Sequence, residues 1–203
     1  MHRFLSGTLV TALAIVFGVF VFTTTAHARS YAINTIDVEL LVQEDSTVRV
    51  SETLSYEFDG EYHQGYRNIS HKNIGSISDI TVRDAITGEV LQYSFIKLDK
   101  TTPSSWNTYT YSQGLGATNI EWYHNGAQRR TWTIEYTVHG ALAFYENHDE
   151  LYWNVFTDYE VPIDLVTAKV ILPYAVQDDG NLQTSIYTSS GQGVTEIVGA
   201  DRA

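Results

Sequence analysis

The sequence predicts an all-β protein: an antiparallel β-sandwich, immunoglobulin-like or jelly-roll-like, preceded by a signal peptide. Three observations predict it. Apolar and polar residues alternate with period two beyond Arg29. No long stretch has the i, i+3, i+4 spacing of an amphipathic helix, and turn-forming residues recur at short intervals. Several short strands at even spacing bury their apolar faces best by stacking as two sheets or closing as a barrel.

The first residues read as a targeting segment. His2 and Arg3 precede an unbroken apolar and small run from Leu9 to Phe22, and Ala26-His27-Ala28 has the small-x-small form that signal peptidase accepts. The run is shorter than the roughly 20 residues a membrane-spanning helix needs. Residues 1–28 are therefore expected to be a signal peptide cut after Ala28, with an N-terminal membrane anchor as the alternative. Residues 29–178 then form one β-sandwich domain, long enough to bury a core, and 179–203 a C-terminal extension.

The chain carries 12 Lys and Arg against 24 Asp and Glu, a net charge of −12, and no cysteine. Removing the leader, with its single arginine and no acid, makes the balance more negative. Such a surface repels phosphate backbones and anionic lipid, so nucleic acid is excluded as a natural partner. Without cysteine no disulfide braces the domain, and no lipid can be attached at the cleavage site.

Each element follows from alternation. Ile36, Val38, Leu40 and Val42 share one face of a first strand, and Val48, Val50, Leu54, Tyr56 and Phe58 one face of a second, with the acidic and small residues 43–47 as the connection. Ile80 and Val82 mark a strand that turns at Asp84–Glu89. Residues 100–119, rich in Thr, Ser and Gly, are expected to be a surface loop. Residues 119–140 read as a hairpin around His124-Asn125-Gly126, whose residues tolerate positive φ. Beyond that turn Trp132, Ile134, Tyr136 and Val138 face one way and Thr131, Thr133, Glu135 and Thr137 the other. Residues 166–173 close the pattern with a strand stopped by Pro173, and 184–188 are a candidate for one more.

Glu52 breaks the pattern: it sits on the apolar face between Val50 and Leu54. A carboxylate there is costly unless it is paired. Arg67 is the nearest candidate partner, giving a structural Glu52–Arg67 ion pair. The alternative is a bulge that turns Glu52 to solvent.

Val50, Glu52, Phe58, Gly60, Arg67 and Ile69, followed by Leu151, Trp153, Asn154, Pro162, Ile163, Leu172 and Pro173, resemble the two signature stretches of the predicted bacterial membrane proteins called domain of unknown function 2207. The resemblance runs from Tyr31 to Tyr174. It implies an exported, extracytoplasmic β-domain at the cell envelope, attached to the membrane through a C-terminal segment that this sequence lacks. The family supplies no catalytic residues to carry over.

The segment Glu146–Glu160 gathers His148, Asp149, Glu150 and further acids around Tyr152 and Trp153, which raises the question of a metal or acid–base site. Adjacent positions on a strand alternate faces and do not converge on one ion. The reading is a polar turn leading into a strand whose Leu151, Trp153 and Val155 pack inward. His63 and His71 flank Arg67 without a defined role. There is no G-x-S-x-G elbow, phosphate loop or H-E-x-x-H helix. No catalytic residue, metal ligand or cofactor is therefore assigned. The aromatics of the 106–111 loop, Trp106, Tyr109 and Tyr111, are the candidate binding residues, because exposed Tyr and Trp bind partners at low entropy cost. The function expected is a non-catalytic binding or interaction module for an envelope protein or glycan. A glycan-directed hydrolase using two carboxylates and a scaffold for membrane helices are the alternatives.

Overall fold

The computed structural model describes residues 29–154, 159–174, 182–187 and 193–196. Its strands are β1 (Ser30–Val42), β2 (Val48–Asp59), β3 (Gln64–Ser70), β4 (Ser76–Asp84), β5 (Gln92–Tyr93), β6 (Thr108–Gln113), β7 (Ala117–Tyr123), β8 (Arg129–His139), β9 (Leu142–Phe144), β10 (Asp149–Leu151) and β11 (Ile163–Ile171). A five-stranded sheet in the order β11-β1-β2-β8-β4 faces a four-stranded sheet in the order β3-β7-β6-β5, and β9 and β10 form a small ribbon. The expected sandwich is present, but the sheets are mixed: β11 runs parallel to β1, and β5 parallel to β6.

The first hairpin forms as the alternation requires. Gln43 and Thr47 close its turn, with Asp45 capping the Thr47 N–H, and Val38, Leu40, Val42, Val48, Val50 and Leu54 are buried. Across the sandwich, Ile69, Ile120 and Trp122 meet Trp132 and Ile134, with Trp122 and Trp132 ring centroids 5.6 Å apart. Gly65 is needed beneath this contact, because a Cβ there would lie 2.2 Å from the Trp122 ring.

Several connections differ from expectation. Residues 119–140 are not a hairpin: β7 and β8 lie in different sheets, joined by a link that crosses the end of the sandwich. Gly126 does adopt positive φ, +74°, but the turn redirects the chain between layers instead of folding it back. Residues 100–119 are not a plain loop either, since they contain β6, which pairs along β7. Its alternating Thr-Tyr-Thr-Tyr presents one tyrosine face to the core. After Asp84–Glu89 the chain makes one bridge, Arg83 to Val90, and then leaves for the other sheet. Residues 184–187 carry no strand, and residues 1–28, expected to be a signal peptide cut after Ala28, lie outside the described residues.

Candidate functional site

Glu52 on β2 points into the sandwich and is 0% exposed; Arg67 on the inner face of β3 is 2% exposed and meets it from the opposite sheet. The guanidinium grips the carboxylate with two bonds, Nε to Oε2 at 2.6 Å and Nη2 to Oε1 at 2.9 Å, and Nη1 donates to the Asn68 carbonyl. The Tyr136 hydroxyl on β8 donates to Glu52 Oε1. No bulge turns Glu52 outward, because the register shift in this strand pair falls at Ile33–Thr35. Burial alone would lower the Arg67 pKa, but the Glu52 charge and its hydrogen bonds outweigh that and raise it. Burial and the adjacent carboxylate likewise push Tyr136 well above the usual phenol range.

The second signature stretch packs against this pair. The Tyr159 ring lies 5.7 Å from the Arg67 guanidinium carbon, and Trp153 lies 6.3 Å from Tyr136. Leu151, Trp153 and Val161 rest on the core; Val155 is outside the described residues. The two stretches, about a hundred residues apart in sequence, thus converge on one buried charge pair. His148, by contrast, is exposed and stacks on Tyr145 at 4.7 Å, and Asp149 and Glu150 are exposed on β10. Among the described residues no group of three or more His, Asp or Glu could hold a metal ion.

Beside Arg67, at the end of the sandwich where β1 begins, lies an open groove of about 650 Å³. Tyr31, Phe58, Tyr62, Tyr66 and Tyr159 line it, with Arg29, Glu61, His63, Lys100 and Glu121 at its margins. The rings support one another: Tyr31 and Tyr62 are 5.6 Å apart edge to face, and Phe58 and Tyr62 stack at 5.1 Å. Burial and the neighbouring Tyr66 hydroxyl push the Tyr31 pKa up to about 12, so its hydroxyl is a neutral donor at any physiological pH. The Tyr159 hydroxyl, buried in the groove wall, has no hydrogen-bond partner among the described residues. Both acidic residues at the margins are already engaged: Glu61 with His63 at 3.0 Å, Glu121 with Lys97 at 2.7 Å.

The three aromatics expected to bind do not form one surface. Tyr109 is a correction: it is 5% exposed and donates its hydroxyl to the Ile80 carbonyl at 2.8 Å, because β6 turns that face to the core. Tyr111 is half-buried on the same face and stacks on Tyr93, which Phe95 meets edge to face. Trp106 stands apart, half-buried and stacked on His63 at 5.3 Å. Of the three, it alone stacks on a residue of the groove. His63 and His71 occupy opposite ends of β3, His63 touching the His124 carbonyl and His71 the Thr118 hydroxyl. Groove residues Tyr62 and Tyr66 lie close together in the sequence, but nothing there links them to Tyr31 or Tyr159.

His124 is buried against Trp132, ring centroids 4.7 Å apart. Burial, with Arg130 and His63 nearby, pushes its pKa down to about 4. It is a neutral core histidine whose Nδ1 accepts the Gly126 N–H.

Fold and groove together define a two-sheet β-domain with an aromatic cleft beside a buried ion pair. The model of the predicted membrane protein (DUF2207) N-terminal domain matches residues 32–201, and the chain belongs to that family. No curated protein matches it in sequence. Among solved structures it is similar to yeast leukotriene A4 hydrolase: to the bestatin complex at 15% identity and TM-score 0.30, and to the native Saccharomyces cerevisiae enzyme at 13% identity and TM-score 0.30. Each alignment covers 53% of this chain, and only 14% and 15% of the respective enzyme chains. Likeness at that level carries no argument about activity.

Proposed function

We propose that this domain is a non-catalytic binding module of the cell envelope, the extracytoplasmic part of a membrane protein, and that it takes its ligand in the tyrosine groove. The carrying observation is the groove itself: a cleft of ligand size walled by Tyr31, Tyr62, Tyr66 and Tyr159. Rigid rings with polar tips supply contact area at little entropic cost. Their placement beside the buried Glu52–Arg67 pair fixes the wall in position. The hydrolase alternative is less favoured, because Glu121 is held in an ion pair with Lys97 and Glu61 is engaged by the His63 ring.

The test is residue-resolved NMR of the full chain titrated with two probes, chitotetraose and a capped heptapeptide alternating Val and Glu. Shifts centred on Tyr31, Tyr62, Tyr66 and Tyr159, and lost in Tyr62→Ala, support the reading. Binding that maps instead to Tyr93, Phe95 and Tyr111 removes the groove from consideration, as does the absence of binding by either probe at millimolar concentration.

A further inference from the structure

The groove runs along an open strand edge. β3 is the outermost strand of its sheet and pairs only with β7 among the described residues. The His124 N–H donates to the His63 carbonyl, and the His71 N–H to the Gly116 carbonyl. With the antiparallel register of Gly65 to Trp122 and Arg67 to Ile120, odd-numbered residues of β3 direct their backbone groups to β7. Even-numbered ones direct theirs outward. The Asn68 carbonyl already accepts from Arg67, and Tyr152, Trp153 and Asn154 lie across a small cleft from Ile69, Ser70 and Lys72. The stretch left open is Gln64–Tyr66, where the N–H and C=O of both residues have no partner among the described residues.

These donors and acceptors repeat every second residue, about 6.6–6.8 Å apart along the edge. An extended polypeptide backbone repeats its own at that spacing; a saccharide, with hydroxyls on all sides, does not. The groove is lined by side chains from both faces of the sheet next to this edge: Tyr31 and Tyr159 on the inner side, Glu121 and Asn119 on the outer. That is what a strand with alternating side chains would meet. Charge adds a preference. Glu121 pairs with Lys97 and Glu61 contacts His63, while Arg29 and Lys100 have no carboxylate within salt-bridge distance among the described residues. On a chain of net charge −12, Arg29 and Lys100 place two positive charges at this margin.

We propose that the β3 edge at Gln64–Tyr66 docks an extended peptide segment as an added strand, with an apolar side chain turned toward Tyr31 and Tyr159 and a carboxylate toward Arg29 or Lys100. Edge addition draws affinity from main-chain bonds and selectivity from alternate side-chain pockets. The inference rests on the groove being the binding site and specifies its ligand as polypeptide.

The decisive probe is the capped Val/Glu heptapeptide, compared with the same peptide N-methylated on the backbone nitrogens of one edge and then of the other. The unmodified peptide is expected to slow amide exchange at Gln64 and Tyr66. Methylation of the pairing edge should weaken it about tenfold or more, as loss of two or more hydrogen bonds implies. On the protein side, Tyr66→Pro removes the outward N–H at a position where an edge strand accepts proline, whereas Tyr66→Ala keeps it. Tyr66→Pro should bind several-fold more weakly than Tyr66→Ala at matched thermal stability, and Lys100→Glu should weaken the acidic peptide while favouring its Val/Lys counterpart. Equal binding of methylated and unmodified peptides overturns strand addition. Groove shifts with chitotetraose but not with peptide overturn it too, while leaving the groove as a binding site. No groove binding by either probe overturns both.

Discussion

Replacing Arg67 with methionine tests whether the buried ion pair is built as described. The substitution keeps most of the side chain's apolar volume and removes the two guanidinium bonds to Glu52, which is then held by the Tyr136 hydroxyl in an interior of zero exposure. Stripping the partner from a buried charge costs about 3–5 kcal/mol. For a domain of this size, each kcal/mol moves the midpoint about 2–4 °C. Thermal unfolding followed by circular dichroism should therefore show a fall of roughly 6–20 °C. A carboxylate left without its cation in an apolar interior takes up a proton more readily, so the deficit should narrow as pH is lowered from 7 toward 4. Replacing both partners, Glu52→Leu with Arg67→Met, should recover most of the loss, because a well-packed apolar pair is often neutral or stabilising relative to a buried ion pair. A single-variant loss below about 1 kcal/mol, within the range of an exposed pair, would refute the assignment of this pair to a dry interior. So would a double variant no better than the single.

Other expectations follow from neighbouring contacts. Tyr136→Phe should cost about 1.5–3 kcal/mol in urea unfolding, the range for a hydrogen bond to a charged group, with the heptapeptide affinity unchanged. Gly65→Ala should destabilise by at least about 1–3 kcal/mol, the usual cost of overpacking, since its Cβ falls on the Trp122 ring. His124 gives a pH signature. Its folded pKa of about 4 lies below the unfolded value near 6.5, so as pH falls the unfolded chain takes the proton first. The stability it confers is present above pH 6.5 and is lost between 6.5 and 4, by about 3 kcal/mol. His124→Phe should flatten the stability–pH curve across that window by a comparable amount, and an unchanged slope would show that the ring is hydrated.

The sequence made faces legible and layers much less so. Alternation placed Val48, Val50 and Leu54, and later Trp132, Ile134 and Tyr136, on the buried side, because a side-chain period of two depends only on the strand's own backbone. Glu52 was legible for the same reason: a charge in an apolar row needs an explanation, and Arg67 lay close in sequence. Strand direction and sheet membership depend on where the chain goes between strands. That is why 119–140 looked like a hairpin although β7 and β8 belong to opposite sheets, and why β11 gave no sign of running parallel to β1. β6 was hidden by its Thr, Ser and Gly neighbours, which outweighed a four-residue alternation. The groove was least visible of all, since Tyr31, Tyr62, Tyr66 and Tyr159 come from three separate regions of the chain.

The parallel pairing of β1 with β11 has a mechanical meaning. The first strand enters at the groove end, and the last runs beside it in the same direction, from Ile33 paired with Ile163 to Leu41 paired with Ile171. Ser30 at the start of β1 and Ile171 at the end of β11 therefore lie at opposite ends of this strand pair, separated by roughly 30 Å of strand at about 3.3 Å per residue. A pull between Ser30 and Ile171 slides the two strands along each other and loads their hydrogen bonds together, in shear, instead of peeling them one at a time. Tension applied between those two points runs along the strand direction, where the β1–β11 ladder yields only as a whole.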